Sequence, residues 1–250
     1  MIAMKITNVD ASNDNTPILS NKQIDEFAAT VLADYDPDLL REPGTVHYEH
    51  FIESYMEMDL LYKDIYYAEN TPPVYGVTVF RDGTVKIFDR EESRVVNRPT
   101  RANTVILDNS VTSNKGMAMF TALHESGHVF LHRGVFSIFR AGQICCRKKS
   151  SAKVQYGQSN WTAEDRREQQ ANRFASSLAM PDETFIPYVN ELLREYNLWS
   201  RCIVLGQDDD LDIAANDLLP ESISEVYGVS KQAASVKLKS SGFVQSRRLF

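Results

Sequence analysis

The stretch KGMAMFTALHESGHVFLH, residues 115–132, decides how the rest of the chain is read. It has no proline, its only glycines are Gly116 and Gly127, and Met119, Phe120, Leu123, Val129 and Phe130 supply apolar positions for a helix. Gly134 is placed to end that helix. Within it, His124 and His128 stand four residues apart, about one turn, and so share a face. Both imidazoles can then reach one zinc ion. Glu125 is set off from that face, where its carboxylate can act as general base on a water instead of ligating the metal.

A catalytic zinc site needs a third protein ligand and one open position. Two residues compete for that place. His132 follows His128 by four residues, but eight residues separate it from His124, so all three imidazoles converge on one ion only with difficulty. Gly134 occupies the position where a three-histidine scheme would put its last ligand. Glu168 begins the run Glu168-Gln169-Gln170-Ala171-Asn172-Arg173-Phe174-Ala175, in which Ala171, Phe174, Ala175 and Leu178 form an apolar stripe that Glu168 extends toward the helix start. It can equally be a solvated charge within Glu164-Asp165-Arg166-Arg167-Glu168. Asn172, one turn on, can hydrogen-bond a ligand or substrate, or simply pack.

The pairing of His-Glu-Ser-Gly-His with Glu168-Gln-Gln-Ala-Asn-Arg-Phe-Ala and Leu178-Ala-Met180-Pro181 resembles the ImmA/IrrE metallopeptidase family, whose second helix reads E-x-x-A-N-x-F-A before L-x-M-P. The resemblance runs from Phe120 to Pro181, and residues 1–100 follow only a general pattern. It implies Glu168 as the third zinc ligand and a zincin-like domain. It also implies water-mediated hydrolysis of a peptide bond, with a helix-turn-helix repressor of a mobile element or stress regulon as substrate. The group that helps hold the oxyanion is not evident from sequence; His132 and Tyr156 are candidates.

Outward from these motifs the chain reads as α+β. Residues 1–19 are polar and rich in Asn and Asp, a flexible leader closed by Pro17. A peptidase domain over residues 20–206 then begins with a helix at Ser20, on which Ile24, Phe27, Ala28, Val31 and Leu32 recur at helical spacing. A second helix is predicted from Tyr48 to Tyr67. From Tyr75 the period changes to two, and Asp82-Gly83 between Val77, Val79 and Val85, Ile87 predicts a hairpin. Thr104–Leu107 reads as a further strand, residues 133–160 as an excursion over the site, and Thr162 to Met180 as a helix capped by its threonine.

Gln207–Asp212 opens an acidic linker, residues 207–220. Residues 221–250 form a helix-turn-helix-like pair around Gly228-Val229-Ser230. The net charge is −7, with +3 on residues 221–250 and so −10 on the rest, which argues against a chain that coats nucleic acid. Lys231, Lys237 and Lys239 are the DNA contacts such a pair would offer, but a helical pair docked on the body is favoured. Cys145, Cys146 and Cys202 include no C-x-x-C, which argues against a disulfide framework and leaves Cys145 and Cys146 structural or incidental. No apolar run reaches the ~18 residues of a membrane span and no secretory signal opens the chain, so a cytoplasmic location is expected. The reading is therefore a zinc peptidase acting on one intracellular protein. The alternative is a slow or inactive zinc-binding module that regulates transcription by binding a partner or DNA.

Overall fold

The computed structural model describes residue 6 and residues 9–138, 143–147, 162–198 and 202–246. The chain is mixed α+β with small sheets, and forms two compact units: Met1–Phe27 with His47–Ala175, and Ala28–Val46 with Ser176–Phe250.

The first unit holds α2 (Tyr48–His50), α3 (Lys115–Ile138), strands β1 (Asp59–Lys63), β2 (Val74–Val79), β3 (Gly83–Asp89), β4 (Arg94–Thr100), β5 (Thr104–Asp108) and β6 (Gln143–Arg147), the first residues of α1 (Asn21–Tyr35) and most of α4 (Ala163–Ala179). Its main sheet has the order β1-β5-β2-β6; β1 runs parallel to β5, and β2 is antiparallel to both β5 and β6. β2 and β5 are almost wholly buried, as central strands of a small sheet covered by a helix must be.

That covering helix is α3. Asn114 caps it, its side chain accepting from Met117 N at 3.0 Å. Residues 121–132 are all buried, so the middle of α3 is enclosed on all its faces. α4 opens on Thr162, whose hydroxyl accepts from Asp165 N at 3.1 Å while Asp165 accepts back from Thr162 N at 3.2 Å. Phe27, Phe51, Phe130 and Phe174 cluster at ring separations of 5.4–6.3 Å and pin α1, α3 and α4 together within this unit.

Several expectations are corrected. The helix predicted from Tyr48 ends at Tyr55 in a π-turn; Glu57 turns left-handed with φ 52°, and β1 follows. Backbone pairing with β5 outweighs the helical spacing there. The hairpin across Asp82-Gly83 does not form. Gly83 is not in the left-handed region a two-residue turn requires, and Asp82 instead accepts from Ala102 N at 2.7 Å. β3 pairs with β4, Phe88 facing Val95, while β2 joins β5 and β6. α3 runs on past Gly134 because Val135 and Phe136 pack against Phe80, the two rings stacked at 5.3 Å. Residues 9–18 form a turn, not a loose leader: Ala11 bridges Pro17, Ile18 N donates to Asp10 O at 2.8 Å, and Thr16 is fully buried.

The second unit contains the rest of α1 and α4, α5 (Asp182–Glu195), β7 (Ile203–Leu205), α6 (Asp209–Ile213), α7 (Leu219–Tyr227), α8 (Lys231–Ser240) and β8 (Val244–Ser246), with β7 parallel to β8. The acidic segment read as a linker is helical, capped by Asp208, and leads through a π-turn into α7. Gly228 ends α7 at φ 66°, where a side chain would also meet Thr45 at 2.5 Å, and Ser230 caps α8. Lys237, one of the three lysines considered for DNA contact, points inward. It is 1% exposed, donates to Asp182 at 2.5 Å and lies 5.4 Å from the Phe185 ring centroid. Lys231 is held by Glu221 at 2.9 Å.

Candidate metal centre

His124, His128 and Glu168 converge. The two Nε2 atoms lie 3.0 Å apart, and Glu168 reaches His124 Nε2 at 3.5 Å and His128 Nε2 at 3.4 Å. All three residues are buried. A tetrahedral ion with bonds of about 2.0 Å requires ligand atoms roughly 3.3 Å apart, so the spacing of these three donors would suit such an ion. His124 Nδ1 faces Asn172 Oδ1 at 2.9 Å, so its N–H points there and the Nε2 lone pair points into the site. Among the described residues this is the group able to hold a metal.

The approach of α4 to α3 depends on Gly127. A Cβ there would lie 3.0 Å from Ala171 Cα and 3.1 Å from Ala171 O. The missing side chain at the third position after His124, together with the small Ala171, lets the two backbones cross closely. Glu168 stands one turn before Ala171, and that crossing carries its carboxylate to the histidines.

Glu125 stands outside the converging set. Its Oε2 accepts from the Thr78 hydroxyl at 2.5 Å, and a Cβ on Gly76 would come within 2.6 Å of its Oε1. β2 therefore seats this carboxylate from the side opposite α4. Sequence reasoning missed both residues; a glycine within an alternating strand is the signal that could have found Gly76, since it marks a close approach.

Burial pulls His128 down to about 4 and depresses His132 as well, so both rings are neutral at neutral pH, the form in which an imidazole ligates. His132 is not a ligand; its Nδ1 lies 3.0 Å from His128 Nδ1 and its Nε2 lies 2.9 Å from Gln170 Oε1. Tyr156 falls outside the described residues, as do the side chains of Cys145 and Cys146.

Two imidazoles one helical turn apart and a carboxylate from a second helix form a buried group that could hold a metal ion, with Glu125 on the residue next to the first of them. The chain belongs to the Peptidase_M78 family: the sequence profile described as the IrrE N-terminal-like domain matches residues 85–239, from β3 through most of α8. The family's peptidases are metal-dependent. A search of curated proteins gives no match. Among the described residues no helix is long and apolar enough to cross a membrane.

Proposed function

We propose that the protein is a zinc peptidase that cleaves a specific protein substrate. The observation that carries this is the separation of roles within one buried centre: His124, His128 and Glu168 meet one another, while Glu125 is turned to Thr78 and Gly76. Nitrogen and carboxylate donors at tetrahedral spacing suit zinc. A zinc ion held by His124, His128 and Glu168 would lower the pKa of a water toward ~7 and polarise the scissile carbonyl. Glu125, steadied by the Thr78 hydroxyl, would take the proton of that water and deliver it to the leaving amine. Asn172 keeps His124 in the ligating tautomer. A helix-turn-helix repressor of a mobile element or stress regulon is the substrate we infer from the ImmA/IrrE motifs, and zinc-dependent loss of that repressor is the regulatory output.

The test is a comparison of Glu125→Gln and Glu168→Ala in the full chain. Glu125→Gln is expected to keep one zinc per chain and lose ~100-fold or more of the peptide-bond hydrolysis of a repressor substrate. Glu168→Ala is expected to lose the zinc. If Glu125→Gln still inactivates the repressor with zinc bound, the catalytic reading fails and binding alone accounts for the effect.

A further inference from the structure

Behind His128 a chain of hydrogen bonds leads away from the metal position and ends on the N-terminal turn. His128 Nδ1 lies 3.0 Å from His132 Nδ1, His132 Nε2 lies 2.9 Å from Gln170 Oε1, and Gln170 Nε2 donates to the Pro17 carbonyl at 2.7 Å. His132 is 0% and Gln170 1% exposed, so water does not substitute for these partners. The polarity of the chain is set at its far end. A carbonyl oxygen only accepts, so Gln170 must turn its amide nitrogen to Pro17 and its oxygen to His132. His132 then carries its N–H on Nε2 and a lone pair on Nδ1. Only the His128 tautomer protonated on Nδ1 completes the next bond, and that tautomer leaves the lone pair on Nε2, the atom facing His124 and Glu168.

The geometry points to Gln170 as a positioning residue that, through His132 and under the direction of the Pro17 carbonyl, fixes the His128 proton on Nδ1 and presets Nε2 as a metal ligand. The inference rests on the metallopeptidase reading of the centre and makes the N-terminal turn part of it. That turn is secured independently. Arg167 Nη1 donates to Asp14 Oδ2 at 2.7 Å and to Thr16 Oγ1 at 2.8 Å. Arg167 and Gln170 thus bracket Glu168 on α4, one anchoring the turn and the other reading its carbonyl. Without the Gln170 acceptor, His132 can move its N–H to Nδ1, donate to His128 and leave an N–H on His128 Nε2, where it excludes a cation.

The test uses the full chain after chelation and reads long-range proton–nitrogen NMR correlations of the imidazoles, which separate protonated from lone-pair nitrogens. The wild type is expected to show His128 protonated on Nδ1 and His132 on Nε2. Gln170→Leu is expected to show mixed tautomers at both rings and a 10–100-fold loss of Zn2+ affinity in chelator competition. Gln170→Glu, which still accepts from His132 but no longer donates to Pro17, is expected to retain the wild-type tautomers. Wild-type His128 with its lone pair on Nδ1 overturns the proposal without any variant having to fold; a further proton on Nε2 does not, because with no cation bound that atom can share one with His124 Nε2 at 3.0 Å and Glu168 at 3.4 Å. Gln170→Leu that merely lowers the melting temperature, with tautomers and affinity unchanged, also overturns it. The expected wild-type tautomers in a protein that binds no Zn2+ would support the relay while refuting the peptidase reading.

Discussion

Gly127→Ala tests whether the crossing of α3 and α4 sets the metal geometry. The added Cβ would meet Ala171 at 3.0 Å (Cα), 3.1 Å (O) and 3.3 Å (Cβ), and two of these contacts are backbone that cannot rotate away. Carbon atoms rest about 3.5–4.0 Å apart, so α4 must recede by roughly 0.5 Å. Glu168 moves with it, and its 3.4 and 3.5 Å approaches to the histidines stretch toward ~4 Å, against a tetrahedral edge of ~3.3 Å. Metal sites tolerate departures of only about 0.2 Å in bond length.

Two terms oppose each other in the metal-free protein. Overpacking costs about 1–3 kcal/mol, and replacing glycine within a helix returns up to ~1 kcal/mol. The metal-free variant should therefore lie between neutral and ~2 kcal/mol less stable, while zinc affinity falls about 10–100-fold, or ~1.4–2.7 kcal/mol. Chelator competition gives the affinity, and urea unfolding with chelator present gives the stability. A variant that is ~1 kcal/mol more stable and binds zinc as tightly as the wild type would refute the reasoning, because helix propensity would then be the only effect of that glycine.

Two further outcomes follow from the buried ionisable groups. His128 sits near 4 in the folded protein against about 6.5 unfolded, so between those values the unfolded chain binds a proton that the folded chain does not. Stability of the metal-free protein should be full above about pH 6.5 and fall by up to ~1.4 kcal/mol per pH unit as pH drops toward about 4, with His132 adding in the same direction. A melting temperature with chelator that stays flat across that window would contradict the burial of both rings. In the second unit, Asp182→Ala should destabilise by about 2 kcal/mol because it removes the carboxylate that the buried Lys237 ammonium donates to, whereas Lys237→Met should be nearly neutral. Equal costs for the two, read from urea unfolding, would show that the pair contributes no more than its packing.

The helices were legible where local signals and burial agreed. Thr162 caps α4 as the sequence predicts, and the Gly228-Val229-Ser230 turn lies between two helices, with Gly228 ending α7 and Ser230 capping α8. The strands were not, because their partners lie far along the chain. Nothing in Asp59–Lys63 tells the reader that Thr104–Asp108 will lie beside it, and the apolar positions from Phe51 to Leu61 suit a helix equally well. Val77 and Val85 alternate as a hairpin would, yet each strand pairs elsewhere, β2 with β5 and β6 and β3 with β4. Pro99, opposite Thr84, is a residue that strands hold mainly at their edges, and Arg94–Thr100 lies in a two-stranded sheet where every strand is an edge.

The site divides along the same line. His124, Glu125 and His128 are legible because one helical turn fixes their relation, and no other part of the fold has to be known. Glu168 could be ligand or solvated charge on its own stripe; the ImmA/IrrE motifs favour the first, and the Gly127–Ala171 crossing supplies the physical reason. The groups that decide how the centre works are less visible still. Thr78 and Gly76 come from a strand more than forty residues upstream, and Pro17 enters only as a backbone oxygen, an atom every residue has. A ligand set can be read from side-chain identity, but the direction of its hydrogen bonds depends on which carbonyl lies at the end of the chain. Gln170 carries no motif signal for that reason: its identity matters only once Pro17 is placed against it. A metal centre of this kind is therefore specified at two ranges, with the donor atoms set by local helical spacing and their protonation set by long-range packing of the N-terminal turn on α4.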